Sequence, residues 1–183
     1  FGDSWRMRRE PVLGARRVLD SYDSPPGATG AALPGDGVDL QIRVNGRAVW
    51  PEAGWARSAH SNDPVSHDLA LELRQGDRVE FVVARGGHMI CDTTEWDPIV
   101  AFADGESFQA STGFSPVKGG HDWSYEYETD GGKRTPCGYD AAPGRYGQRW
   151  RRTNGVTETF ASSTDMHTDP QRHSAQVFTC TRP

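Results

Sequence analysis

The sequence has no long hydrophobic run: its longest apolar stretches are four or five residues. A membrane-spanning helix needs about 20, so no segment qualifies and membrane insertion is not expected. Cysteine is scarce as well. Cys91, Cys137 and Cys180 are an odd set that allows at most one internal disulfide; for an extracellular chain the expected pair is Cys137 with Cys180. Catalytic signatures are missing too: no nucleophile elbow, phosphate-binding loop, dinucleotide fingerprint, His-Glu-x-x-His or Cys-x-x-Cys occurs. His60, His67, His88, His121, His167 and His173 therefore have no zinc-ligand spacing. No stretch carries a helical hydrophobic period.

Hydrophobic residues make up 35% of the 183, below the usual ~45–50%. Six Trp, five Tyr and seven Phe nevertheless supply large side chains able to build a core. The length suits one compact domain over residues 1–183. Twenty Lys and Arg against 25 Asp and Glu give a net charge of −5, which argues against nucleic acid as a partner. The basic cluster Arg6, Arg8, Arg9, Arg16 and Arg17 reads as solvated strand faces. A chain opening on Phe1 without an apolar leader reads as a processed secreted product or a piece of a longer one; the expected location is extracellular.

What is abundant is strand alternation. Val38, Leu40, Ile42 and Val44 alternate with Asp39, Gln41 and Arg43, then Asn45-Gly46 turns the chain into Arg47–Trp50, the pattern of a tight hairpin. Leu69, Leu71 and Leu73, the turn Gln75-Gly76-Asp77, and Val79, Phe81 and Val83 predict a second hairpin. Further strands are expected at Pro98 to Phe102, at Trp123, Tyr125 and Tyr127, and at Ala175 to Cys180. Residues 24–37 and 144–163 read as long loops. The fold class that follows is all-β, an antiparallel jelly-roll-like β-sandwich with long loops.

The most specific string is Gly76-Asp77-Arg78-Val79-Glu80-Phe81-Val82-Val83, a loop with Gly86-Gly87-His88, and Asp92-Thr93-Thr94-Glu95-Trp96-Asp97-Pro98. Together with Gly35-Asp36-Gly37-Val38, Val49-Trp50-Pro51, Phe108-Gln109-Ala110-Ser111, Gly120-His121-Asp122-Trp123 and Met166-His167, it resembles the β-sandwich accessory modules of secreted bacterial polysaccharide-degrading enzymes. The resemblance implies a non-catalytic extracellular module that binds a glycan. Two departures stand out. Cys91 occupies a position where such modules tend to carry an aromatic residue, and the parts run in reversed order. A window across two tandem modules, with a boundary near 104–107, would explain that order, as would a permuted module in which Ser4 to Pro11 and Ser174 to Pro183 are equivalent edge strands. In the second case other copies of the chain become partners, and self-assembly of an extracellular filament by strand exchange is the alternative function.

The candidate glycan platforms are Trp55, Trp96, Trp50, Trp123 and Tyr125, with Asp97 as a hydrogen-bonding group. Trp55 and Trp96 lead because each sits in a Gly- or Pro-flanked loop, whereas aromatics on alternating strands are more often core. Asp92 and Asp97, with the Thr93 and Thr94 hydroxyls, make an oxygen-rich loop suited to calcium, although two carboxylates fall short of six to eight ligands. His121, Tyr125, Glu126 and Glu128 supply the ingredients of a glycoside hydrolase or polysaccharide lyase without a diagnostic spacing.

Overall fold

The computed structural model describes residues 4–6, 16–17, 37–58, 65–86, 94–103, 105–129, 131–141, 149–151, 159–162, 167–168 and 174–181. The strands in chain order are β1 (Ser4–Arg6), β2 (Arg16–Arg17), β3 (Val38–Val44), β4 (Arg47–Trp50), β5 (Ala56–Ser58), β6 (Ala70–Glu72), β7 (Arg78–Arg85), β8 (Thr94–Glu95) and β9 (Ile99–Ala101). They continue with β10 (Ser107–Gln109), β11 (Trp123–Thr129), β12 (Arg134–Pro136), β13 (Gly138–Asp140), β14 (Arg149–Arg151), β15 (Thr159–Ser162), β16 (His167–Thr168) and β17 (Ser174–Thr181). A 3-10 turn at Gly120–Asp122 is the one helical element among the described residues. All strand pairs are antiparallel. The all-β class expected from the alternation is the one observed.

A seven-stranded sheet ordered β12-β11-β17-β7-β3-β4, with β5 also on β3, dominates the architecture. It draws strands from both sides of residues 104–107, and β17 joins the two groups by pairing β7 on one edge and β11 on the other. The described parts of the proposed equivalents Ser4 to Pro11 and Ser174 to Pro183 do not share an edge position: β1 pairs β6 in a small sheet, while β17 lies inside the large one.

The β3–β4 hairpin forms as its sequence dictates. Asn45 and Gly46 both adopt positive φ, 51° and 83°, the geometry that matches the twist of the flanking strands. The Asn45 side chain also holds the neighbouring turn, donating to Asp77 Oδ1 at 2.7 Å and accepting from the Arg78 amide at 2.9 Å. The Arg74 amide donates to Asp77 Oδ2, and these bonds keep the Asp77 carboxyl below its ordinary pKa.

The second hairpin does not form. The turn at Arg74–Asp77 is present, but β6 pairs β1, and both edges of β7 are taken, by β3 and β17. Leu73 is buried, and Leu69 and Leu71 pack against the core from outside the large sheet. Part of the expected loop 144–163 is also strand, since β14 and β15 pair within it. The expected loop 24–37 lies outside the described residues except for Gly37.

Register sorts the large sheet into two faces. On one, Ile42 opposes Phe81, Leu40 opposes Val83, and Trp123, Tyr125 and Tyr127 of β11 complete the surface. Trp96, Val100, Phe102, Ala110 and Trp150 cover it from the short elements. Aromatic contacts knit the layers together: Phe81 meets Trp96 edge-on at 5.5 Å, and Tyr125 stacks on Trp150 at 5.7 Å, both within the favourable range. The Trp150 indole N–H donates to the Ser115 carbonyl at 2.9 Å.

Cys137 and Cys180 are both buried and no disulfide joins them, so the expected pairing is absent. Cys137 stands beside Tyr125 of β11, and Cys180 opposes Trp123 from the far side of that strand. Two strand spacings, roughly 10 Å, separate their backbones, beyond the ~7 Å reach of a disulfide. Burial, aided by Asp122, pushes the Cys180 thiol up to about 12, leaving it inert. Cys91 lies outside the described residues.

Candidate functional site

The outer face of the large sheet carries charge where a second apolar layer would otherwise lie. Its strands bring up Arg43 (β3), Arg78 and Glu80 (β7), Glu126 and Glu128 (β11) and Arg134 (β12). Arg134 grips Glu80 with both terminal nitrogens at 2.5 and 2.9 Å and reaches Glu128 through Nε at 2.8 Å. Arg43 donates to both Glu128 oxygens at 3.0 Å, and Arg78 pairs with Glu126 at 3.0 Å. Twist brings diagonal corners of a sheet together over one face, which lets Arg43 reach across β7 and β17 to Glu128. Beneath this network Val82, Val177 and Thr179 are fully buried; the guanidinium stems serve as their cover.

Burial would raise the Glu128 carboxyl, but the hydrogen bonds from Arg134 and Arg43 outweigh it and hold the group below the usual value. It is a fixed carboxylate at neutral pH, able to accept hydrogen bonds and unable to donate one. Glu80 likewise opposes a guanidinium that its own carboxylate drives further toward permanent charge.

At the Glu128 end the network opens into a groove of about 300 Å³. Its floor is made by Ala84 and Ala175, directly opposed across β7 and β17; two methyl groups leave the depression that larger side chains would fill. Glu128 and Thr129 form one wall, Arg85 and Gly86 close the end, and Trp55 forms the other wall. Trp55 is 41% exposed. Among the described residues only Val117 is another large apolar side chain as exposed. The Arg43 guanidinium, bonded to Glu128, also lies 5.4 Å from the centre of the indole, a cation–π contact that ties the Trp55 ring to the carboxylate and fixes its orientation.

A second groove, of about 390 Å³, lies where β11 begins. His121 and Asp122 there both adopt positive φ, 49° and 67°, a conformation that costs non-glycine residues roughly 1–2 kcal/mol each. Gly113 lies against the Trp123 indole so closely that an added Cβ would come within 2.4 Å of Cδ1. Gly113→Ala is therefore expected to lower stability by about 1–3 kcal/mol, read from urea midpoints; an unchanged midpoint would contradict this packing.

The sequence candidates divide. Trp55 stands on the surface. Trp96, the other leading platform, is 0% exposed: its loop folds down onto the core, where the indole N–H donates to His67 Nε2 at 3.2 Å. Trp123 and Tyr125 are core residues at 1% and 2% exposure, and Trp50 is half-buried against His67. Asp97 holds a turn, accepting from Gln109 Nε2, from the Ser111 amide at 2.8 Å and from Ser111 Oγ at 2.7 Å. These three hydrogen bonds give Asp97, expected as a glycan or calcium ligand, a role in the turn itself. Asp92 lies outside the described residues, and among the described residues no group of three or more His, Cys, Asp or Glu is placed to hold a metal.

The catalytic ingredients are not gathered either. Glu126 and Glu128 lie on the outer face of β11, Tyr125 points into the core, and His121 borders the second groove. Sequence reasoning missed Arg43, Arg134, Ala84 and Ala175. The available signal was β7 itself, where Phe81-Val82-Val83 is apolar on both faces, so a charge at Glu80 had to find a partner. No family model matches this chain, and no curated protein or solved structure matches it.

Proposed function

We propose that the chain is a non-catalytic carbohydrate-binding module whose site is the groove between Trp55 and Glu128. The observation that carries this is an exposed indole facing a fixed carboxylate across a floor of two methyl groups. The apolar C–H face of a pyranose packs on indole, and its hydroxyls donate to Glu128 and exchange hydrogen bonds with Thr129. Arg43 holds both walls in place before the sugar arrives, so little ordering cost accompanies binding. A held carboxylate paired with two guanidiniums suits hydroxyl recognition better than acid catalysis, which calls for a raised pKa. Each contact is weak, and repetition of the sugar along a polymer compensates through avidity.

The reading carries an extracellular location with it, as does the resemblance to accessory modules of polysaccharide-degrading enzymes. Self-assembly by exchange of the C-terminal strand finds no comparable support, because β17 has both edges paired within its own chain.

Trp55→Ala is expected to reduce retention on the preferred polysaccharide at least tenfold, about 1.4 kcal/mol. The lost cation–π contact is worth about 0.5–1 kcal/mol at an exposed site, so the melting temperature should fall by no more than about 4 °C. Affinity electrophoresis over plant, algal and bacterial glycans, beside a thermal melt, measures both. Undiminished retention by the variant would remove Trp55 from the site.

A further inference from the structure

We infer that the groove at the start of β11 is a second pyranose-binding site, so that one chain holds two glycan segments on opposite faces of its large sheet. For the chemistry of its ligand this rests on reading the chain as a glycan binder; its location rests on separate observations.

The first observation is a buried donor with no acceptor. Trp123 is 1% exposed, and its indole N–H has no hydrogen-bond partner among the described residues. The ring borders the groove together with Gly113, which packs directly on the indole: a Cβ there would lie 2.9 Å from Nε1. A buried N–H normally finds a partner, and a ligand hydroxyl oxygen in the groove would supply one. The second observation is the left-handed backbone at His121 and Asp122. Strain of that kind persists where it serves to aim groups, and here it places an exposed imidazole and a half-buried carboxylate on the groove wall. The opposite wall carries the half-buried Phe108 ring beside the Ser107 and Thr112 hydroxyls.

One apolar ring with donors and acceptors of both kinds and no uncompensated cluster of charge fits a polyhydroxylated ring. The volume is at the lower end of ligand pockets, suited to one or two sugar units. Along β11 the two grooves stand six residues apart, about 20 Å. Trp123 belongs to the core face and Glu128 to the outer face, so a single chain can bridge two polymer strands.

Nuclear magnetic resonance of the ¹⁵N-labelled chain tests this, with cellotetraose, xylotetraose, mannotetraose and tetragalacturonate as probes. At least one probe is expected to shift the Trp123 indole N–H and the Gly113 and His121 amides saturably, in the native chain and in Trp55→Ala alike. His121→Gly, which tolerates positive φ, should weaken that response about tenfold while leaving the shifts at Ala84, Ala175 and Glu128 unchanged. Shifts confined to Ala84, Ala175 and Glu128 would overturn the second site and leave the first standing. Shifts confined to Gly113, His121 and Trp123 would do the reverse, and no shift with any probe would remove both.

Discussion

Arg134→Ala is expected to destabilise the fold by about 3–5 kcal/mol, the range for stranding one member of a buried ion pair. Glu80 is 1% exposed and sits between apolar neighbours on a strand buried on both faces. Its carboxylate depends on the two-pronged Arg134 guanidinium; the other cation nearby, Arg78, is 3.9 Å away. Removing Arg134 leaves a charge that can neither reach water nor find an equal partner, and it frees one side of Glu128. Arg134→Lys keeps the charge but not the fork, so it should fall between wild type and alanine. Replacing Glu80 and Arg134 together by leucines should cost far less than Arg134→Ala, because no charge is left stranded. Urea unfolding of the four proteins decides the matter. A loss below about 1 kcal/mol for Arg134→Ala would mean that the network is an exposed, screened pair rather than a closed face.

The second large effect is acid sensitivity centred on His67. Its ring lies 5.4 Å from Trp50 and 5.6 Å from Trp96, and its Nε2 accepts the Trp96 indole N–H. Burial lowers its pKa to about 4, against a smaller opposing pull from Asp68. The unfolded chain takes up a proton as pH falls through 6.5, whereas the folded chain resists until about 4. The native state therefore loses stability over that window, roughly 3 kcal/mol in all at 1.36 kcal/mol per unit. Protonation also turns Nε2 into a donor and leaves Trp96 without its acceptor. Glu128, whose pKa is lowered on folding, adds loss of the same sign below the ordinary carboxylate range. Unfolding free energies at pH 7, 5.5 and 4 should fall steeply for the native chain and less for His67→Gln. Equal slopes for the two proteins would exclude His67 as the cause.

Both effects concern features that the sequence announces only in part. Local rules were sufficient where structure is local: Asn45-Gly46 between alternating strands can hardly be anything but a hairpin. They failed at β6 and β7 because the turn between them, although real, does not decide which strands pair; β3 and β17 compete for the same edges and win. Trp55 and Trp96 looked alike, each in a loop rich in turn residues. What separates them is tertiary. The Trp96 loop lies over the open apolar face of the large sheet, while Trp55 stands at the edge of a face already closed by ion pairs. That network links residues 85 and 54 positions apart, Arg43 with Glu128 and Glu80 with Arg134, a separation at which pattern carries no information. Ala84 and Ala175 are still harder to recognise, since a groove floor is marked only by small residues meeting in register.

In the proposed complex a sugar lies on the outer face between Trp55 and Glu128. Crystals of the chain soaked in the oligosaccharide that it retains best would test this directly. Density is expected for a pyranose over Ala84 and Ala175, its C–H face toward the Trp55 indole and a hydroxyl within hydrogen-bond distance of Glu128. A sugar seated elsewhere, with this groove holding only solvent at saturating ligand, would contradict it.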